Sequence, residues 1–217
     1  EKPGQGHRNY QIQCVVPGLQ YLKEDGVSEV LIQRTDQAFF RPNLIERCQR
    51  LQAQYPAEGG LVQKRIIMSD AYFRKYIFYH PSDMFMYGTV DDLLLFWDHP
   101  FDSRSKEEMP DYSNILTERM ITEEDLLVAA KELITPEGYF FTNMLKKLQY
   151  PFNYTLQDWE RLVAQIFVIK GLAWWNFYWY KPGKGYDNRV NFACEPYPLH
   201  CIGEAEWEDI YLSYQNK

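Results

Sequence analysis

Apolar positions near the start of the chain recur three and four residues apart, the spacing of one face of an α-helix. This pattern covers residues 7–23 and predicts a helix that Pro17 kinks or divides. A short apolar, β-branched run, Val30-Leu31-Ile32, then predicts a buried strand. A second helix is expected to begin at Arg41-Pro42-Asn43, with an inner face formed by Leu44, Ile45, Cys48 and Leu51.

The same alternation continues to about residue 97. Residues 65–68 predict a strand, and residues 76–79 predict another with a weaker pattern. In the segment "MFMYGTVDDLLLFW" we expect a strand over residues 84–87, a turn at Gly88 and a helix over residues 89–97. Helices that alternate with strands are typical of an α/β sheet with helical crossovers.

The second half of the chain is mostly helical in pattern. Thr122 and Thr155 are predicted helix N-caps, and Asp125 completes a box-like pattern three residues after Thr122. The segment "VIKGLAWWNFYWYKPGKGYDNR" is rich in β-branched and aromatic residues, which favours strands, and it breaks at Pro182-Gly183. Gly203 precedes a final helix. The predicted fold is therefore α/β, a mixed sheet flanked by helices with a mostly helical C-terminal half.

Composition narrows the classes of function. The chain has 217 residues, which suits one domain, and 46% of them are hydrophobic, so a sizeable core is expected. The net charge of -7 argues against a nucleic-acid-binding protein, because neutralising phosphates needs a basic surface. No apolar run is long enough to span a membrane, and no signal peptide is recognisable. The chain opens on Glu1-Lys2-Pro3-Gly4 without an initiator Met, so we expect the natural protein to begin earlier.

The four cysteines are too few for a disulfide scaffold, and none of them forms a Cys-x-x-Cys pair of the kind that binds zinc. They are Cys14, Cys48, Cys194 and Cys201. Two interpretations remain: all four are reduced thiols, or Cys194 and Cys201 form a bridge.

Two charged residues follow the first predicted strand. Asp36 is placed at its carboxyl end, where a carboxylate can hold a divalent cation that carries a nucleotide diphosphate, or bond to a ribose hydroxyl. Arg34 alternates with Ile32, so it is expected to point away from the core, towards a phosphate or a carboxylate. The alternative is a strand-end turn in which Asp36 caps nearby backbone amides.

Polar side chains also gather at the start of the first helix. Arg8, Asn9 and Gln11 lie near a helix N-terminus, where anions bind readily, and they are candidate donor-binding residues. The alternative is a solvated helix start.

A third group of candidates lies in the segment "HPSDMFMYG". Asp83 follows Pro81 and Ser82 in a loop before a strand, and a carboxylate near a sugar hydroxyl can serve as general base. The alternative is an Asx turn. Asp91 and Asp92 are instead expected to complement the dipole of the helix that they begin.

The aromatic stripe over residues 174–180 is expected to supply core residues and one exposed face. Aromatic rings also stack on sugar rings, so Trp175 is a candidate acceptor contact together with Ser82.

These pieces, in this order, resemble a known family. The run "HRNYQIQCVVPGLQYLKEDGVSEVLIQRTDQAFFRPNLIERC" is similar to the donor-binding core of glycosyltransferases with the GT-A fold. Together with "SDMFMYGTVDDLLLFW" and the terminal "EWEDIY", it resembles more closely the WavE lipopolysaccharide synthesis family. The specific part of the resemblance covers residues 7–98.

The resemblance implies a transferase that uses a nucleotide sugar and acts on a glycan or lipid-linked glycan of the lipopolysaccharide or surface-polysaccharide kind. It implies a cytoplasmic enzyme at the inner face of the inner membrane, with peripheral membrane contact. Residues 1–100 would form the donor-binding core and residues 101–217 the acceptor side of the same domain. Asp36 would contact the donor or its Mg²⁺ or Mn²⁺, Arg8 and Gln11 would lie beside the nucleotide, and Asp83 would face the acceptor.

The sequence departs from the GT-A pattern in two places. The first strand-and-helix unit has no counterpart, so the core is expected to be truncated at its N-terminus. An Asp-x-Asp pair is incomplete because Arg34 stands at its first position, and an arginine there can neutralise phosphate in place of a cation. The rival function is a non-catalytic sugar-binding or scaffold subunit of a polysaccharide assembly system.

Overall fold

The computed structural model describes residues 3–104, 108, 122–133, 135–181, 184–187, 189–195, 197 and 199–215. Short 3-10 turns lie at Gln5–His7 and Phe192–Cys194. The α-helices in the described residues, numbered in chain order, are α1 (Arg8–Glu24), α2 (Leu44–Gln54), α3 (Val90–Trp97), α4 (Glu123–Lys131), α5 (Pro136–Lys147), α6 (Leu156–Ile166), α7 (Leu172–Trp175) and α8 (Glu204–Gln215).

Seven strands of the described chain form two sheets. They are β1 (Glu29–Gln33), β2 (Gln37–Phe39), β3 (Ile66–Ser69), β4 (Phe85–Thr89), β5 (Phe167–Lys170), β6 (Phe177–Lys181) and β7 (Lys184–Asp187). The larger sheet has the order β1-β4-β3-β5, and the smaller one is β2-β6-β7. Only β3 and β5 pair in parallel; the other pairs are antiparallel. This mixed sheet flanked by helices confirms the predicted fold class.

One edge of the larger sheet carries the candidate residues, and it gathers the ends of β1, β3 and β5 and the start of β4. Gln33 at the end of β1 lies opposite Phe85 at the start of β4, and Ser69 at the end of β3 lies beside Lys170 at the end of β5. We call this the carboxyl edge. At the opposite edge, the start of β1 meets Thr89 at the end of β4.

The core lies on both faces of the larger sheet and is largely aromatic. Helix α1 packs on α3, α3 packs on α5, and α6 packs on α8. The largest completely buried side chains of this core include Trp159, Trp175, Trp207, Phe73, Phe85, Phe140 and Phe141. Burying aromatic rings of this size supplies much of the free energy of folding, and it gives the loops at the carboxyl edge a rigid base.

Three details of the first 60 residues differ from the prediction. Helix α1 runs through Pro17 without dividing. Pro17 is exposed, so the backbone carbonyl that lacks its helical partner can bond to water, while Ile12 and Leu19 anchor the helix on either side. Strand β1 is half-buried, not buried, because it is the edge strand of its sheet. On α2, Ile45 is exposed.

Two predicted features around β4 also need correction. Residues 76–79 form turns and bends, not a strand. Gly88 is not a turn: it pairs with Val30 inside β4, and the helix begins directly after the strand. Thr89 allows this, because its hydroxyl accepts a hydrogen bond from the Asp92 backbone N–H (3.1 Å) and caps the first turn.

The predicted caps are confirmed. Thr122 and Asp125 form a reciprocal capping box, and Thr155 accepts a bond from the backbone of α6. All four cysteines are free, which excludes the bridge between Cys194 and Cys201 in this structure. Pro182-Gly183 falls outside the described residues. None of the helices described above has both the length and the apolar composition needed to cross a bilayer.

Candidate active site at the carboxyl edge

Asp83 stands at the carboxyl edge, in the loop that leads into β4. It is half-buried, and its Oδ2 accepts a hydrogen bond of 2.9 Å from Nε2 of Gln11 in the first turns of α1. The candidate base and one of the candidate donor-binding residues are therefore in direct contact. The oxygen of the same Gln11 amide, Oε1, is buried and has no hydrogen-bond partner among the described residues.

Glu137, from the C-terminal half of the chain, also lies beside Asp83. It lies in the first turn of α5, and its carboxyl group is close enough to that of Asp83 for each group to shift the pKa of the other. His80, three residues before Asp83, places its Nε2 3.5 Å from the Glu137 Oε2. We call Asp83 and Glu137 the acid pair. Two carboxyl groups this close share protons and titrate as a unit.

The surroundings of the acid pair favour its neutral form. Burial and then the Glu137 charge raise the pKa of Asp83 to about 7, against the hydrogen bond from Gln11, which lowers it. Burial likewise raises the pKa of Glu137. His80 responds in the opposite direction, because burial and then the Arg74 charge lower its pKa to about 4. At neutral pH Asp83 is thus poised to gain or lose a proton beside an uncharged imidazole.

The loop that carries Asp83 is pinned by Tyr79. The Tyr79 hydroxyl donates to Asp158 Oδ2 (2.7 Å) at the start of α6, and it accepts from the Tyr154 backbone N–H (2.9 Å). Tyr79 also adopts a left-handed backbone, with φ of 60°, a conformation that costs energy for a bulky residue. The buried phenol holds that strained turn in place and so determines where residues 80–83 lie.

Arg34 and Asp36 form the exposed rim of the same edge. Nε and Nη2 of Arg34 donate to the two Asp36 oxygens (3.0 and 3.1 Å), and the Trp179 indole N–H donates to Asp36 Oδ2 (2.8 Å). Asp36 therefore also ties the β1–β2 turn to β6. The Arg34 side chain is about half exposed, and its charge lowers the pKa of Asp83, which places it within electrostatic reach of the acid pair.

The Asp36 carboxylate is not arranged to bind a metal ion in this structure. Both of its oxygens are engaged by Arg34 and Trp179. In the part of the chain that the structure describes, no group of three or more His, Cys, Asp or Glu side chains could hold a metal ion. A cation at Asp36 would first have to displace the guanidinium.

Arg8 and Asn9 lie at the start of α1, where the sequence placed them, but both side chains are buried. Arg8 is 0% exposed, and its Nη1 donates to Asp102 Oδ2 (3.1 Å) and to the Leu133 carbonyl (2.9 Å). Asn9 exchanges hydrogen bonds with the Asp102 backbone (3.0 and 2.8 Å). Both residues fasten the start of α1 to neighbouring loops, so they cannot touch a nucleotide in this structure.

The two candidate acceptor contacts are also buried. Ser82 is 0% exposed, lies 3.5 Å from the Ser69 hydroxyl and caps the Met84 backbone N–H. Trp175 is 0% exposed, packs edge-on against Phe85 and donates its indole N–H to the Lys170 carbonyl. The stripe does have the expected exposed face, which Tyr178 and Tyr180 provide.

Asp91 and Asp92 lie at the opposite edge of the sheet, as helix-start charges. Asp92 accepts bonds from the backbone N–H groups of Gln63 and Lys64 (2.9 and 3.0 Å), and Asp91 pairs with Lys23 (2.7 Å). A depression of about 260 Å³ lies at this edge. The charged side chains that line it already form ion pairs, Lys23 with Asp91 and Lys64 with Glu29.

The carboxyl edge carries a further carboxylate that was not among the candidates named from the sequence. Asp70 follows β3 directly and is 6% exposed, and its Oδ1 has no hydrogen-bond partner among the described residues. Burial raises its pKa to about 7, and the Glu204 charge adds to the effect. The signal was present, because "IIMSD" places an aspartate just after an apolar strand, as "LIQRTD" does for Asp36.

Glu137 and His80 were missed for a different reason. Glu137 follows Thr135-Pro136, where an acidic residue is ordinary helix-start chemistry, and His80 begins the loop of Asp83. Nothing local in either segment indicates that the two side chains meet.

The stability of the protein should depend on pH through Asp70. Its pKa is raised above the ordinary value of 3.8 to about 7, so the folded state binds this proton more tightly than the unfolded state. The resulting stabilisation is complete below about pH 4 and is lost as the pH rises through about 7. Asp70→Asn should remove this dependence, which amounts to about 4 kcal/mol over the whole pH range.

Thermal unfolding at pH 5 and at pH 8 measures this effect. The wild type should lose several degrees more than Asp70→Asn between the two conditions. Equal losses in the two proteins would show that Asp70 is ionised throughout.

A comparison with protein families decides the relationship. The family model described as WavE lipopolysaccharide synthesis matches residues 3–170. The chain belongs to the WavE lipopolysaccharide synthesis family. No curated protein and no solved structure matches it.

Membership of the WavE family connects the chain with lipopolysaccharide synthesis. The matched span extends well beyond the 7–98 expected from the sequence, and it contains Gln11, Asp70, Asp83 and Glu137. The terminal "EWEDIY" falls outside it. The WavE match therefore covers the carboxyl edge of the sheet and the acid pair but not α8.

Proposed function

We propose that this WavE protein is a glycosyltransferase that moves a sugar from a nucleotide-sugar donor to a lipopolysaccharide or surface-polysaccharide acceptor. The observation that carries the proposal is the acid pair. Asp83 is half-buried, has a pKa raised to about 7, and stands at the carboxyl edge of an α/β sheet beside a half-exposed arginine. Ligands of α/β sheets bind outside such edges, and a base works best when its pKa lies near the working pH.

The transfer itself needs one proton acceptor. The acceptor oxygen forms a bond to the anomeric carbon of the donor, and the bond from that carbon to the phosphate oxygen breaks. The acceptor proton passes to the Asp83 carboxylate, and the electron pair leaves with the nucleotide. Glu137 keeps the pKa of Asp83 high enough to take that proton near neutral pH, and Gln11 orients the carboxylate.

Arg34 is the group that we assign to the leaving phosphate. It is half exposed, and a guanidinium carries its charge at any physiological pH. Asp36 holds it in a two-point contact that fixes its direction. Because Asp36 lacks a free oxygen, no step of the proposed transfer passes through a metal ion.

The proposal includes the setting that the family resemblance implies. The donor is a nucleotide sugar, the acceptor is a glycan or lipid-linked glycan, and the reaction takes place at the cytoplasmic face of the inner membrane with peripheral contact. A GT-A-like arrangement of the sheet belongs to the same proposal.

Nucleotide release tests the function directly. The protein is incubated with a panel of nucleotide sugars and with truncated lipopolysaccharide from a strain that lacks the gene, and the released nucleotide is measured. We expect one donor to give release that depends on the acceptor. If every donor fails with acceptor present, with and without Mn²⁺, the glycosyltransferase assignment is wrong.

The Asp36→Asn variant tests the rim. We expect it to lose donor binding, because the amide no longer pairs with Arg34, while the melting temperature stays within a few degrees. An exposed ion pair contributes only about 1 kcal/mol or less. Isothermal titration with the donor, beside thermal unfolding, measures both effects. Full donor affinity in the variant would remove Asp36 and its contact with Arg34 from the donor site.

A non-catalytic sugar-binding or scaffold subunit is the second candidate function. The observation that favours it is the burial of Arg8 and Asn9, which removes two of the expected donor contacts. A protein that binds lipopolysaccharide fragments but releases no nucleotide from any donor would decide for this candidate.

A further inference from the structure

A second polar cluster at the carboxyl edge is not used by the proposed transfer. It lies outside the ends of β3 and β5, the parallel pair of the sheet, and consists of Asp70, Gly171 and Glu204. Crevices at the carboxyl ends of parallel strands are the usual binding positions of α/β folds. We call this group the Asp70 cluster.

Asp70 forms the floor of the cluster and has an unused hydrogen-bonding atom. Its carboxyl group interacts with the Leu172 backbone N–H, while Oδ1 is buried without a partner among the described residues. A buried acceptor left unpaired has lost its hydrogen bonds to water without replacement, so an atom of this kind suits a ligand that supplies the missing donor. A carboxylate oxygen accepts from O–H or N–H groups.

Gly171 leaves open the space above this floor. Its φ of -67° is ordinary for any residue, so its backbone does not require glycine. A Cβ at this position would stand 3.4 Å from Asp70 Oδ2 and 3.8 Å from Glu204 Oε2. The missing side chain therefore leaves the space beside these two carboxylate oxygens unfilled.

Glu204 forms the rim and is already neutralised. It accepts bonds from the Lys170 ammonium (2.7 Å) and from the Gly171 backbone N–H (3.2 Å), and its side chain is 35% exposed. A divalent cation would have to compete with that ammonium, whereas a neutral hydroxyl would not. The cluster consequently suits an uncharged ligand that carries adjacent O–H donors.

We infer that the Asp70 cluster is a subsite for a sugar ring, which donates adjacent hydroxyl groups to Asp70 and, at the rim, to Glu204. The choice of a sugar among hydroxyl-bearing ligands rests on the proposed function. The Ser69 and Ser82 hydroxyls, 3.5 Å apart, link the end of β3, which Asp70 follows, to the loop that carries Asp83. The ring bound there belongs either to the hexose of a donor or acceptor, or to the ribose of the nucleotide.

Two variants remove the subsite in different ways. In Asp70→Asn the amide oxygen keeps the Leu172 N–H, so the NH₂ group replaces the unpaired acceptor and presents a donor to the ligand. Gly171→Ala fills the open space with a methyl group at ordinary contact distances and an allowed φ, so it should fold normally. Asp91→Asn, at the opposite edge, is the matched control.

Saturation-transfer NMR at pH 8, where Asp70 is ionised, tests the inference without any turnover. The probes are methyl glycosides of common hexoses, the four ribonucleosides and their 2′-deoxy forms. We expect the wild type to bind one of these sets, and both subsite variants to weaken that binding about tenfold or more. Asp91→Asn should bind as the wild type does.

The probe sets identify the source of the ring. Binding of hexosides assigns the subsite to the transferred sugar or the acceptor, and binding of ribonucleosides but not deoxynucleosides assigns it to ribose. Binding of neither set, or binding that Asp70→Asn leaves unchanged, overturns the inference. The inference is also overturned if the wild type binds Mn²⁺ but no sugar, and the subsite variants lose the Mn²⁺ binding. Sugar binding that needs Asp70 in a protein without transfer activity would retain the subsite and reject the proposed function.

Discussion

Asp83→Asn should lower the turnover number about 100-fold or more and leave donor affinity nearly unchanged. Losing a positioned proton-transfer group has an effect of about 10²–10⁴ on rate. The isosteric amide keeps the contact with Gln11 but cannot accept the acceptor proton. Steady-state kinetics with saturating acceptor separate the two quantities, since kcat should fall while the donor KM does not.

Asp91→Asn is the control, because Asp91 lies at the opposite edge of the sheet and pairs with Lys23. It should keep full turnover. Equal losses in the two variants would mean that the base has been assigned to the wrong carboxylate.

Glu137→Gln tests how the acid pair works. Removing the neighbouring negative charge should lower the pKa of Asp83, so the rise of activity with pH should move to lower pH. A purely structural role of Glu137 would reduce stability without moving that profile.

Arg8→Ala should destabilise the protein by roughly 3–5 kcal/mol, or about 10 °C in melting temperature. Arg8 is completely buried, and its removal leaves a cavity, an incompletely compensated Asp102 and an unpaired Leu133 carbonyl. The guanidinium also lies 5.0 Å from the centre of the Tyr139 ring, so a cation–π contact is lost as well. Chemical denaturation followed by tryptophan fluorescence measures the change in the free energy of unfolding.

Arg104→Ala is the matched control for this prediction. Arg104 pairs with the same carboxylate, Asp102, but its side chain is 30% exposed, so its removal should cost about 1 kcal/mol or less. If Arg8→Ala is instead stable and loses donor affinity, the sequence-based prediction of a donor contact is restored.

The position of the acid pair shows how the site depends on the fold. The sequence indicated Asp83 as a base and Gln11 as a donor-binding residue, and the structure brings these two side chains together. Glu137 joins them only because α5 packs against α3 and the turn before α1. The raised pKa of Asp83 follows from that meeting and from burial.

Burial also separates the predicted site residues that can reach a ligand in this structure from those that cannot. Arg8, Asn9, Ser82 and Trp175 have side chains whose chemistry suits ligands, and that chemistry alone suggested contact with a donor or an acceptor. Each of them instead satisfies backbone or side-chain groups inside the protein. The local sequence does not distinguish a polar residue that is buried for structural reasons from one that binds a ligand.

The sequence by itself determined the elements whose causes are local. The caps at Thr122 and Thr155, the strand at Val30-Leu31-Ile32 and the helix after Thr89 arise from hydrogen bonds and periodicities within a few residues. The tertiary structure alone decided that β1 is an edge strand, that α1 continues through Pro17, and that Asp70, Asp83 and Glu137 are buried carboxyl groups. Those properties depend on neighbours distant in the chain, because burial and electrostatic interaction are set by what packs against a group and not by the residues beside it in sequence.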